Sequence, residues 1–266
     1  MTKDVNMFES MLAFTAQLEK PVAIENNHNG TGAFREEFTQ TRDFNHASEL
    51  ARNGWPDGLK KIERALEDIE AMPVMEPLPV FDVCGEAFNL DAVLTGQPEN
   101  MFYFMPQESN KPRIVQIAFN FVYSAGVPAN DIIDRGAAIA SAVNDIENQG
   151  MRVELFAYCA TRNNRKTSSC FIKLKDAEQP LELERVVFAV AHPSMLRRLW
   201  FKYAEQHEDF EKRFSHDYGN CCEPKPEHFK QAGITTDQMI LVDMGACNAA
   251  RVKKTITNQL ENILAN

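Results

Sequence analysis

The strongest hydrophobic pattern in the chain lies between Ile114 and Thr161. Over 114–124 (IVQIAFNFVYS) large apolar side chains recur at every second position: Val115, Ile117, Phe119, Phe121 and Tyr123. That is the period of a strand. Between them stand Gln116, Ala118, Asn120, Val122 and Ser124, small or polar groups that let a helix pack closely. Ala125-Gly126-Val127-Pro128 breaks the strand. A helical period follows, with Ile132, Ile139, Val143 and Ile146 on one face and Gly136 as a close-approach position. Asn130 or Asp131 is the candidate N-cap, because a short side-chain oxygen satisfies an orphan N–H. Gly150 marks the C-terminal stop. MRVELFAYCAT (151–161) then reads as a second strand. Strand, helix and strand in this order predict parallel pairing through a right-handed crossover.

The flanking patterns are shorter. Residues 7–19 (FESMLAFTAQLEK) predict a helix, and 44–71 predict two helices broken at Asn53-Gly54, with Leu59, Ile62, Leu66 and Ile69 sharing a face. Asn26 to Gly32 has loop composition, and the three prolines of 72–79 mark an extended linker. VFDVCGEAF predicts a strand, LDAVL a short helix capped by Asn89 and closed by Gly96, and QPENMFYFMP another strand. Beyond the central unit, SCFIKLKD alternates Cys170, Ile172 and Leu174 with Phe171, Lys173 and Lys175. Lysines along one face suit an antiparallel edge strand, where they discourage further pairing. LELERVVFAVAH reads as helix, with a strand as the alternative for its valine-rich middle; Pro193 opens another helix. QMILVDMG predicts a buried strand, and 248–264 a last helix with Val252, Ile256, Leu260 and Ile263 on one side. Three regions result: a helical N-terminal arm (1–72), a strand and short-helix lead-in (73–112) and an α/β core (113–266). The expected architecture is a three-layer α/β sandwich, a mainly parallel sheet with an antiparallel edge strand.

Composition narrows the classes. The 266 residues are 44% apolar and 25% charged, ordinary for a globular protein. No apolar run approaches the ~20 residues of a membrane helix, and MTKDVNMFES has no signal-peptide pattern, so a cytoplasmic setting is expected. Six cysteines in a chain of this length are too few for a disulfide scaffold, so free thiols are expected. A net charge of −10 argues against a general nucleic-acid coat, though a local basic patch is compatible with it.

The order of elements over about 113–264 resembles the von Willebrand factor A fold, a Rossmann-like sandwich. That family holds a divalent metal with a D-x-S-x-S motif at the end of its first strand. The matching place here reads Asn120-Phe-Val-Tyr-Ser124, without the aspartate, so the resemblance implies a scaffold lacking an intact metal site. Nucleotide motifs of the G-x-G-x-x-G and G-x-x-x-x-G-K-[ST] types are absent, and no cofactor is expected. Any pocket is expected at the strand ends, from Asn120, Ser124, Thr161 and Asp243. Weak zinc candidates are His216, Cys221, Cys222 and His228, though they lack zinc-ligand spacing. A basic group of Arg162, Arg165, Lys166, Lys173, Lys175, Arg197 and Arg198, interleaved with Phe171, Trp200 and Tyr203, is the single-strand binding candidate; its bland counterpart is a solvated face. Ser194 invites a nucleophile reading after His192-Pro193, but a serine before a helix is more often a cap.

Four phrases, NGWPDG (53–58), LTGQPENM (94–101), RGAAIASAVNDIENQGMRVEL (135–155) and AHPSMLRR (191–198), resemble an uncharacterised family carried by tailed bacteriophages. The resemblance implies expression in the host cell's cytoplasm and transfers no catalytic residue. The expected function is a protein-interaction module with a phage or host protein as partner. The alternatives are a single-stranded nucleic-acid binder and a metal-dependent enzyme.

Overall fold

The structure is a computed structural model that describes residues 4–23, 36–67, 79–104, 112–124, 126–163, 166–207 and 220–265. In chain order its strands are β1 (Val5–Phe8), β2 (Pro79–Asp82), β3 (Ala87–Phe88), β4 (Met101–Phe104), β5 (Ile114–Asn120), β6 (Arg152–Asn163), β7 (Lys166–Lys175), β8 (Asn220–Cys221) and β9 (Met239–Val242). Its helices are α1 (Met11–Gln17), α2 (Glu36–Thr39), α3 (Phe44–Asn53), α4 (Pro56–Glu67), α5 (Leu90–Leu94), α6 (Ala129–Asn148), α7 (Leu183–Ala191), α8 (Phe201–Glu205), α9 (Pro226–Gln231) and α10 (Ala249–Leu264). A π-helical segment, Met195–Trp200, runs directly into α8.

The main sheet has the order β1-β7-β6-β5-β9, with β8 beside β6. Pairings β5–β6, β5–β9 and β1–β7 are parallel, while β6–β7 is antiparallel. The protein is therefore α/β, with a sheet whose pairings are mainly parallel, antiparallel where β7 and the short β8 meet β6, and with helices around it. The predicted central unit is β5–α6–β6. Alternation on β5 is complete: Val115, Ile117 and Phe119 are fully buried, and so are Ala118 and Asn120 on the other face. On that second face Val5, Ala118, Phe156, Tyr158 and Phe171 pack against Phe229, Ala232 and Ile234 of the α9 region. Helix α6 lies among α4, α7 and α10. Gly136 sets its approach to α7, where an added Cβ would stand 2.7 Å from the Ala191 Cβ and 2.8 Å from the Val190 carbonyl oxygen.

Four expectations change. Strand β5 stops at Asn120, because the Asn120 Oδ1 accepts from the Val122 amide at 2.7 Å and turns the chain. Helix α6 begins at Ala129 without a side-chain cap, so neither Asn130 nor Asp131 caps it. Residues 1–72 are not a separate arm: Val5–Phe8 is a strand on β7, and the chain divides into one compact unit of 1–72 with 114–266 and a second of 73–113. The apolar faces of α3 and α4 are buried against α6 and α7 rather than presented outward. Finally, β7 is antiparallel but is not the edge, since β1 lies outside it. A register shift between Leu155 and Phe156 places Lys173 opposite Phe156 and Lys175 opposite Leu155. Their side chains thus leave on opposite faces, because successive strand positions alternate. Lys175 turns inward, where its Nζ meets Glu147 at 2.6 Å.

The 73–113 unit is built differently. Its sheet is antiparallel, β2-β4-β3, with α5 between β3 and β4. Asn89 caps α5 as expected, its Oδ1 accepting from Asp91 and Ala92 amides at 3.1 and 3.4 Å. Gly85 is held against the Phe102 backbone, where a Cβ would come within 2.5 Å of the carbonyl oxygen. The linker prolines before Pro79 and the 26–32 loop lie outside the described residues.

Candidate functional site

Parallel strands end together, and at the carboxyl ends of β5 and β6 the second face carries a polar cluster. Register places Asn120 opposite Tyr158. The Tyr158 hydroxyl donates to Glu223 Oε2 at 2.6 Å. Burial, reinforced by that carboxylate, pushes the phenol far above its usual pKa. Burial also raises the Glu223 carboxyl, with the Asp243 charge adding to the effect against the Tyr158 hydrogen bond. Asn120 is fully buried, and its side chain lies beside the Tyr158 hydroxyl, where it works against the rise in the phenol's pKa. The cluster thus holds a proton between a phenol and a carboxylate, with a buried amide beside them.

Of the expected pocket residues, Asn120 and Asp243 belong to this cluster. Ser124 is exposed in the loop beyond β5. Thr161 is buried on the opposite face, across from Cys221, with no partner for its Oγ1 among the described residues. Tyr158 and Glu223 were the members missed. Tyr158 reads as one alternating aromatic of a strand, and Glu223 as one acid in a polar segment; only their register and packing unite them. Below the cluster, Arg135 clamps two loops, its Nε donating to the Ala246 carbonyl at 2.7 Å and its Nη1 to the Tyr123 hydroxyl at 3.3 Å.

The basic group does not form a solvent-facing surface. Lys175, Arg197 and Arg198 are buried. Arg197 donates to the Phe38 carbonyl at 2.6 Å and to Val127 O at 3.2 Å, and Arg198 donates to the carbonyls of Thr41 and Arg42 at 3.3 and 3.2 Å. These guanidiniums tie the 38–42 segment to the π-helical turn. Burial lowers both pKa values, as desolvation disfavours charge. Lys173 is paired to Asp176 at 2.9 Å and Glu154 at 3.6 Å. Arg162 is exposed. Arg165, His216 and the Lys166 side chain lie outside the described residues.

The zinc candidates separate as well. His228 Nδ1 is bonded to Ser169 Oγ at 2.7 Å, and Cys221 faces Cys159. Among the described residues, no group of three His, Cys, Asp or Glu is arranged to hold a metal ion. Ser194 is neither an open nucleophile nor a cap. It is fully buried, with its hydroxyl against Thr41 Oγ1 at 2.7 Å and the Thr39 carbonyl. His192 accepts the Ser194 amide at 3.0 Å on Nδ1, stacks on Phe188 and meets Trp55 edge-on.

Two further surfaces stand out. A cleft of about 650 Å³ opens at the other end of the sheet, lined by both signs of charge, including Glu9, Arg52, Lys173, Asp176, Glu182 and Arg185. In the 73–113 unit, Val83 is 63% exposed, Phe88 62% and Leu94 75%, with Phe81, Leu90 and Val93 also open.

Fold and cluster together define an α/β protein whose strand ends carry a phenol–carboxyl pair rather than a nucleotide or metal motif. The chain belongs to the family described as Domain of unknown function (DUF7192), whose sequence model matches residues 2–265. Comparison with the curated proteins and with the solved structures finds no match. No helix among the described residues is long and apolar enough to cross a membrane.

Proposed function

We propose that this chain is a protein-interaction module that engages its partner through the 73–113 unit. One observation carries the reading: among its described residues, this unit has apolar side chains on both faces of its sheet and little buried apolar surface. Phe81 shares a face with Phe102, and Phe88 shares the other with Met101, as their direct pairing requires. Ala92 is the buried apolar side chain among its described residues. A three-stranded sheet needs one hydrophobic face covered to be stable. Exposed apolar groups on this scale, rimmed by charge, mark association surfaces. Asp82, Glu86 and Asp91 add acidic charge to the same unit. The partner is accordingly a protein with an apolar groove bordered by Lys and Arg. Burying a side chain such as Phe88 or Leu94 there contributes about 1.5–3 kcal/mol each.

The α/β core serves as the scaffold. A von Willebrand A-like reading of that core is supported by the β5–α6–β6 unit followed by an antiparallel strand, and a phage origin by the resemblance of the phrases at 53–58, 94–101, 135–155 and 191–198. The single-stranded nucleic-acid alternative is weakened by the burial of Lys175, Arg197 and Arg198.

A photo-crosslinking side chain at Leu94, with the exposed Lys254 as the control position, tests the proposal in host-cell extract. The expected result is a discrete protein adduct at Leu94 alone. Excess unmodified chain should compete it away, and a Phe88→Asp/Leu90→Asp chain should not. Equal labelling at both positions, an adduct with a second copy of the chain, or an adduct with nucleic acid would each overturn it.

A further inference from the structure

Four of the six cysteines gather around one stretch of β6. Cys159 and Cys170 are directly opposed on β6 and β7. Cys221, on β8, is opposite Thr161, two residues along the same face from Cys159. The Cys222 amide donates to the Ala160 carbonyl at 3.0 Å and locks this register. The Cys159 and Cys221 thiols lie beside each other on this face. Exposure divides the two sulfurs: Cys159 is fully buried, while Cys221 is half-buried.

We propose that Cys221 and Cys159 form a peroxide-responsive dithiol, in which Cys221 is oxidised first and Cys159 resolves it to an intramolecular disulfide. The order follows from access and from electrostatics. The Cys159 hydrogen bond lowers the Cys221 pKa against the opposing effect of burial. Burial drives Cys159 the other way. A partly accessible thiol beside a second, buried thiol is the arrangement of reversible oxidation sites.

In the first step the Cys221 thiolate attacks one oxygen of hydrogen peroxide. An S–O bond forms, the O–O bond breaks, and the departing hydroxide takes up the Cys221 proton as water. In the second, Cys159 sulfur attacks Cys221 sulfur. The S–S bond forms, the S–O bond breaks, and hydroxide leaves with the Cys159 proton as a second water. Two thiols lose two electrons in all, and peroxide gains them.

The site has a structural consequence. Cys221 opens the segment whose Glu223 meets Tyr158 and whose His228 meets Ser169, so it covers the second face of the sheet. A disulfide to Cys159 ties the start of that cover to the middle of the sheet.

Brief exposure of the full chain to hydrogen peroxide, alkylation of remaining thiols and peptide mass spectrometry test this directly. A Cys159–Cys221 cross-linked peptide is expected, and Cys221 should be consumed at least about tenfold faster than the exposed Cys84 and Cys247. In Cys159→Ser, a dimedone-trappable sulfenic acid should persist on Cys221; Cys222→Ser should leave the cross-link intact. Amides of 222–229 should exchange more slowly in the oxidised chain and recover with dithiothreitol. Consumption of Cys221 no faster than Cys247, or a disulfide joining Cys159 to Cys170 or Cys221 to Cys222 instead, would overturn the proposal, and the unsubstituted chain alone suffices to show either.

Discussion

The core and the 73–113 unit draw on similar side chains and use them in opposite ways. In the core, Phe119, Phe121, Phe156, Phe171 and Phe188 are all 1% exposed or less. In the smaller unit, Phe81 and Phe88 stand open on a three-stranded sheet. A six-stranded sheet flanked by helices supplies two covering layers, while among the described residues the three-stranded one has a single five-residue helix. An aromatic residue therefore reports its role only through what lies above it. In the core it is structural; in the small unit it is available to a partner.

Four outcomes break or sharpen that contrast. Phe119→Ala should cost about 3–5 kcal/mol in urea unfolding, through lost transfer energy and a cavity. A cost near that of an exposed site would mean the core is not packed as described. Gly136→Ala should cost about 1–3 kcal/mol, because α6 must move away from α7 to admit the new methyl. An unchanged unfolding midpoint would show that this helix contact is loose. Acidification should act through His192, whose pKa burial pushes down to about 3. The unfolded chain takes up that proton near pH 6.5 and the folded one does not, so stability falls as pH drops from 6.5 toward 3. At pH 5.5 this amounts to about 1.4 kcal/mol, and His192→Phe should remove that part of the pH dependence. Leu94→Asp should change stability by less than about 0.5 kcal/mol, and in excess it should fail to compete away the crosslink formed by a chain carrying the photo-crosslinking side chain at position 94. A large loss of stability there would place Leu94 in a core after all.

The βαβ unit was readable because its pattern is long, strongly periodic and punctuated by Gly and Pro. Asn89, Gly96, Gly150 and the face of α10 were readable for the same local reasons. The first strand was not: VNMF is four residues with no flanking turn signal, and it becomes a strand only because β7 offers an unpaired edge. The lysines of β7 misled because one register shift sends Lys175 to the face opposite Lys173. Arg197 and Arg198 looked like surface cations since nothing local shows that the 38–42 carbonyls lie over them.

Local periodicity, composition and turn chemistry by themselves determined that this is an α/β protein built on Ile114–Thr161, without nucleotide motifs or an intact D-x-S-x-S metal motif. Only the tertiary structure decided which strand forms the edge, which charges are buried, and that Asn120, Tyr158, Glu223 and Asp243 share one corner while Cys159 meets Cys221. Those facts depend on pairing between residues tens of positions apart, where a shift of one residue sends every side chain to the other face.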